Sequence, residues 1–193
     1  MSSWIWIVIV VAILVVVGAL AAVEMRNRRT KALQQRFGSE YDRAVETHDR
    51  RSTAEADLRG REKERARIDV KPLPDQTRAR FVTEWQQVQE RFVDQPVSAV
   101  AAADELVYRV MDARGYPMHD FDTQADLISV DHPHVVENYR AGHRIHELSQ
   151  VQQASTEDLR DALLRYRSLF DELLQARADD PDYHETTMDG GPR

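Results

Sequence analysis

The sequence predicts an all-α protein: a single N-terminal transmembrane helix, a long charged juxtamembrane helix and a small helical bundle. Three observations predict it. The most apolar residues gather in one uninterrupted run near the N-terminus. Beyond that run, apolar residues recur at spacings of three and four, the helical period, and no segment shows the strict alternation of a half-buried strand. Pro72 with Pro74, Pro96, and Gly115 with Pro117 mark the ends of periodic runs.

The first element is WIWIVIVVAILVVVGALAAV, residues 4–23, which carries no charge and no proline. A helix of that length rises about 30 Å, the hydrocarbon thickness of a bilayer. No second run of this kind follows, so the expectation is a single pass. The residues before it, MSS, lack the positive charge of a secretory signal, although Ala19-Leu20-Ala21 resembles a signal-peptidase site. The basic residues come after it: Arg26, Arg28, Arg29 and Lys31. By the positive-inside rule that flank stays cytoplasmic, with the N-terminus out and the body in. Trp4 and Trp6 then belong to the outer membrane interface and the four cations to the inner one. The opposite orientation, with an exported body, is the competing reading.

Composition narrows the chemistry. Hydrophobic residues make up 42% of the chain, yet charged residues make up 31% and the mean hydropathy is −0.57, because so much of the apolar content sits in the anchor. There is no cysteine, which excludes disulfides, thiol catalysis and cysteine-ligated zinc or iron–sulfur sites. All basic residues except Lys31, Lys63 and Lys71 are arginine, and this bias, with abundant Ala, Val and Asp, resembles a high-GC bacterial genome.

Charge is segregated along the chain. Residues 24–71 carry 14 basic and 10 acidic residues, a net of +4, whereas residues 72–193 carry 12 basic and 23 acidic, a net of −11. An acidic body is repelled by phosphate backbones, so nucleic acid is not an expected partner. The basic end adjoins the membrane, where each Lys or Arg near an anionic leaflet contributes ~1 kcal/mol. The plainer reading of that cluster is a stop-transfer flank without lipid specificity.

After the anchor, residues 24–71 form a basic juxtamembrane stalk, with one long helix expected over residues 30–68. Leu33, Phe37, Tyr41 and Val45 recur at spacing four. Beyond them the apolar content collapses, and charges of alternating sign point to a solvated helix held by pairs such as Glu55–Arg59. Gly60 is the expected weak point. Phe37 and Tyr41 are expected to dock on the bundle. The stalk offers a route to homo-oligomers, although its seam is too polar to specify a coiled coil.

Residues 72–175 form the bundle, expected as three long helices and one short one. Phe81, Trp85, Val88 and Phe92 mark the first helix, ended by Pro96. Val100, Ala103, Val107, Val110 and Met111 mark the second, with Gly115 in the position of a C′ glycine. A loop and short helix follow, placing Phe121, Leu127, Ile128 and Val130 for burial. The last helix opens with Ser155 and Asp158 in the spacing of a capping box and continues through Leu159, Leu163, Tyr166, Phe170 and Leu173. Residues 176–193 lack periodicity and are expected to be disordered.

Between the short helix and the last one lies SVDHPHVVENYRAGHRIHEL, with four of the seven histidines. At 100° per residue, His143 and His146 fall inside the apolar face defined by Val135, Val136 and Tyr139, whereas Glu137 and Arg140 point away. Asp131 and Pro133 suit a helix start, as an anionic cap and a first-turn proline, with His132 and His134 beside them. His143 and His146 could bind a metal only with further ligands, for which His119, Asp120 and Asp122 are candidates. The favoured reading is structural, with metal binding and pH sensing as the alternatives. No nucleotide-binding, metalloprotease or serine-hydrolase motif is present in the sequence. No catalytic residue and no cofactor are therefore expected.

The segments RFGSEYDRAVE, RFVDQP, RGYP, SVDHPHVVENYR and STEDLRDALLRYRSLFDELL resemble a family of small bacterial membrane-anchored or secreted helical proteins with FGxEYDRxV and VDHPxVVENYR motifs. The likeness runs from about Leu33 to Leu174. It implies a membrane-associated helical protein and carries over no activity, cofactor or catalytic residue. The function expected is a membrane-tethered adaptor or scaffold that binds the bilayer and protein partners. An exported envelope protein and a histidine-based metal module are the alternatives.

Overall fold

The computed structural model describes residues 3–175 and contains eight α-helices and, among those residues, no strand. They are α1 (Ser3–Phe37), α2 (Ser39–Thr47), α3 (Arg51–Arg65), α4 (Asp75–Asp94), α5 (Pro96–Ala113), α6 (Phe121–Asp131), α7 (Pro133–Gln150) and α8 (Thr156–Gln175). The chain divides into two compact units within α3, after Leu58. The tail expected to be disordered, residues 176–193, lies outside the described residues.

In the first unit, α1 passes without a break from the apolar run into the basic flank. Within it, Val10–Phe37 is long and apolar enough to cross a membrane, with a mean hydropathy of 1.9 and none of its most apolar stretch buried. This is a property of length and composition, which a signal sequence shares.

The expected single helix over residues 30–68 is corrected to three. The break comes at Gly38, whose φ of +52° ends α1 and starts α2 one residue later. Only glycine enters that region without a Cβ penalty. A second break falls at residues 48–50. Gly60, the expected weak point, lies inside α3 and interrupts nothing. A helix tolerates one glycine at a cost of about 1 kcal/mol when its backbone stays in the right-handed region.

Glu55 also departs from expectation. Rather than sitting on a solvated face it is buried, and its carboxylate accepts from the Thr30 hydroxyl at 2.8 Å and the Tyr41 hydroxyl at 3.2 Å. Arg51 donates to the Tyr41 oxygen at 2.6 Å. One carboxylate thus ties α3 to both α1 and α2. Leu33, Phe37, Tyr41, Ala44, Ala54 and Leu58 are buried in the same unit.

In the second unit α4 packs on α5, α5 and α7 both pack on α8, and α6 packs on α7. The bundle therefore has four long helices and one short one, not three and one. Pro133 at the first turn of α7 lets that helix restart one residue after α6 ends, and it then runs to Gln150. Phe81, Trp85, Val88, Val100, Ala103, Val107, Val110, Met111, Leu159, Tyr166, Phe170 and Leu173 are all buried together, as their spacing predicts, while Phe92, Phe121 and Leu163 pack at the rim. Trp85 stacks on Phe170 with ring centroids 4.6 Å apart.

Two glycines are set by contact. Gly115 follows α5 with φ +89°, and a Cβ there would stand 2.9 Å from the Asp69 carbonyl oxygen. That close approach lets the Lys71 amide donate to the Arg114 carbonyl at 2.8 Å, while Arg114, itself buried, donates to the Leu173 carbonyl at 3.1 Å at the end of α8. Gly142 lets α7 lie close against α8, with a Cβ position 3.4 Å from Tyr166 and 3.5 Å from the Ala162 carbonyl.

Candidate functional site

The four histidines of residues 129–148 divide between two clusters. The first is built on α7 around His143. Its ring stacks on Phe121 with centroids 3.6 Å apart and planes 7° from parallel. Its Nδ1 lies 3.2 Å from Asp104 Oδ1 on α5, and the Tyr166 hydroxyl of α8 donates to that same oxygen at 2.8 Å. His146 stands one turn on, its ring centroid 6.1 Å from that of His143 and its Nε2 3.1 Å from the Gln150 amide. Burial works against the charge of Asp104, but hydrogen bonds with His143 and Tyr166 outweigh it and hold the carboxyl below its ordinary range. Burial, with Asp104 beside it, pushes the Tyr166 phenol far up, so this hydroxyl stays a donor.

Asp104 is the residue that the sequence reading missed. Its position four after Val100 and three before Val107 puts a carboxylate on the buried stripe of α5, and that misplaced charge was the available signal. Chemically, an Asp–His pair orients an imidazole. The cluster supplies no aliphatic hydroxyl for such an imidazole to activate, and its phenol is already committed to Asp104.

The second cluster centres on Glu172 of α8, which lies 3.1 Å from His132 and 3.5 Å from His134. Burial lowers the affinity of His132 for a proton, against the pull of Glu172 and Asp131. His132, not Asp131, is the residue before α7, and no side chain caps that helix. Asp131 ends α6 instead, where it accepts from Arg65 and from the Tyr116 hydroxyl, the latter at 2.7 Å.

Arg140 is a further correction. It does not point away: it is 7% exposed and binds Asp126 at 2.6 Å, with Asp122 at 3.6 Å. The helix wheel assumed one buried face, whereas α7 is covered by α8 on one side and by α6 on another. Arg61 reaches the same Asp126 oxygen at 2.8 Å.

The remaining candidate ligands do not converge. His119 is exposed, and Asp120 caps α6 by accepting from the Thr123 amide at 3.1 Å and its hydroxyl at 2.9 Å. Among the described residues no group of three or more His, Asp or Glu stands close enough to hold a metal ion.

The residues expected at the membrane interface all lie on α1. Trp4 and Trp6 are each 70% exposed near its start, and Arg26, Arg28, Arg29 and Lys31 are exposed some 20 residues later, a rise of about 30 Å. Arg28 pairs with Glu24 at 2.9 Å. Comparison with known proteins finds no matching family model, no matching curated protein and no matching solved structure.

Proposed function

We propose that the chain is a single-pass membrane-tethered helical adaptor, with its N-terminus outside and its helical units in the cytoplasm, where the acidic second unit meets protein partners. The observation that carries this reading is α1: an exposed apolar helix with indoles at one end and four cations at the other, continuous with a folded helical body. A helix exposing this many Val, Ile and Leu side chains has no stable place in water, and a bilayer is the environment that satisfies it. The cation asymmetry supports the orientation. The charge of the body, a net of −11 over residues 72–193, disfavours nucleic acid and favours basic protein surfaces.

Paired reporters fused after Gln175, one active only in the cytoplasm and one only after export, test the orientation. Activity of the cytoplasmic reporter alone is the expected result. Activity of the exported reporter alone would overturn the orientation and make Ala19-Leu20-Ala21 the cleavage site to examine.

A further inference from the structure

The geometry points to Arg26, Arg28, Arg29 and Lys31 as a collar that binds the headgroups of anionic phospholipids selectively. This inference rests on the membrane-tethered reading and adds the lipid class to it.

Four features of α1 carry it. First, α1 is helical throughout, so these residues are held at a fixed height above Val23 rather than on a loose chain. Residues 26–31 span about 7.5 Å along the axis, which matches the ~5–8 Å of headgroup on each side of the hydrocarbon.

Second, the collar is bounded below and above. Below it the helix is apolar. Above it the helix enters the packed first unit, where Leu33 is buried; Thr30, within the collar, already donates to Glu55 at 2.8 Å on one face. The cations occupy the exposed stretch over which the helix passes from its apolar run into folded protein.

Third, the four side chains are spread around the helix. Taking Arg26 as 0°, Lys31 falls near 140°, Arg28 near 200° and Arg29 near 300°. Cations aimed at a protein groove share one face, whereas cations that meet a ring of surrounding lipids face all ways.

Fourth, three of the four charges are left without an acidic partner among the described residues. Glu24 is the one acid in residues 24–31, and it pairs with Arg28, both side chains being well exposed. Among the described residues Arg29 reaches only the Met25 sulfur, at 3.9 Å. Among the described residues no ion pair engages Arg26 or Lys31. Three of the four are arginines, whose planar forks bind phosphate oxygens two at a time. A zwitterionic headgroup offers the same phosphate but cancels it with its own cation, so an excess of positive charge selects lipids of net negative charge.

The test uses the full chain reconstituted into phosphatidylcholine vesicles containing a minority of phosphatidylglycerol. Spin-labelled phosphatidylglycerol and spin-labelled phosphatidylcholine report, in separate samples, the fraction of each lipid immobilised at the protein. The expected result is that phosphatidylglycerol is immobilised at least twofold more than phosphatidylcholine. The preference is expected to fade in salt, as the screening length drops from about 10 Å at 0.1 M to about 3 Å at 1 M. The combined variant Arg26→Gln, Arg28→Gln, Arg29→Gln, Lys31→Gln is expected to immobilise both lipids equally while still floating with the vesicles. Equal immobilisation by the wild-type chain, or a preference that survives the combined variant, would overturn the collar while leaving the anchor intact. A wild-type chain that floats with no vesicle of either composition would instead sink the tether, and the collar with it.

Discussion

Asp104 on α5 and His143 on α7, 39 positions apart in the chain, meet at 3.2 Å, and Tyr166 of α8 closes on the same carboxylate oxygen at 2.8 Å. Three of the bundle's long helices are thus joined at one partly buried atom. Such a link is directional, unlike the apolar contacts around it, and it fixes how the helices face one another.

Replacing Asp104 with Asn tests its weight. The variant loses the charge that both donors are aimed at, and the expected loss of stability is about 1–3 kcal/mol. Glu147 stands 3.9 Å from His143 on the exposed side, with 68% of its side chain accessible, so Glu147→Gln is expected to be nearly neutral. Urea denaturation of the detergent-solubilised chain, followed by helical circular dichroism, compares the two. Equal losses would mean that Asp104 is not the anchor of the cluster.

Acid should act first through His132. Burial lowers its folded-state affinity for protons below the ordinary value of 6.5, so between the two values the unfolded chain binds more protons than the folded one. Stability is therefore full above about pH 6.5 and falls as pH drops below it, by at most about 1.4 kcal/mol per pH unit for one group. Asp104 has the opposite chemistry but the same sign at lower pH: its carboxyl is held below the ordinary 3.8, and its contribution is lost as pH falls through the folded value. Denaturation midpoints measured from pH 7.5 to 5 in the wild type and His132→Gln separate the two. The variant is expected to flatten the upper part of the curve, and an unchanged slope would remove His132 as its source.

Two positive-φ glycines should respond unequally to alanine. Gly38→Ala meets nothing within 4 Å and faces only the left-handed backbone cost, about 1–2 kcal/mol. Gly115→Ala bears a comparable backbone cost and also drives its methyl to 2.9 Å from the Asp69 carbonyl oxygen, which cannot move without disturbing the Lys71–Arg114 hydrogen bond next to it. Thermal unfolding is expected to rank Gly115→Ala clearly below Gly38→Ala. The reverse order would show that the residues 69–71 segment yields easily.

Much of the bundle was legible in advance because a buried helix face writes itself as spacing. Phe81, Trp85 and Val88, or Leu159, Tyr166, Phe170 and Leu173, need only their own segment to declare a stripe. The capping box at Ser155 and Asp158 is local in the same way and forms as spelled, with the Ser155 amide donating to Asp158 at 2.8 Å and the Asp158 amide to Ser155 at 3.2 Å. What stayed hidden involves partners distant in the chain. Arg140 reads as a solvent-facing residue until α6 covers it, and Glu55 reads as one more charge on a polar helix until Thr30 and Tyr41 arrive. Gly60 and Gly38 look alike in sequence, and only the turn actually taken distinguishes them.

By itself, the sequence determined the all-helical class, the apolar helix near the N-terminus, the bundle's apolar stripes and the segregation of charge, because each depends on residue type and on a period of a few positions. Tertiary structure alone decided where the stalk breaks, which carboxylates are buried, and that Asp104 meets His143. Those outcomes depend on which helix covers which face, and a buried charge is tolerated only where a partner from another helix arrives to satisfy it.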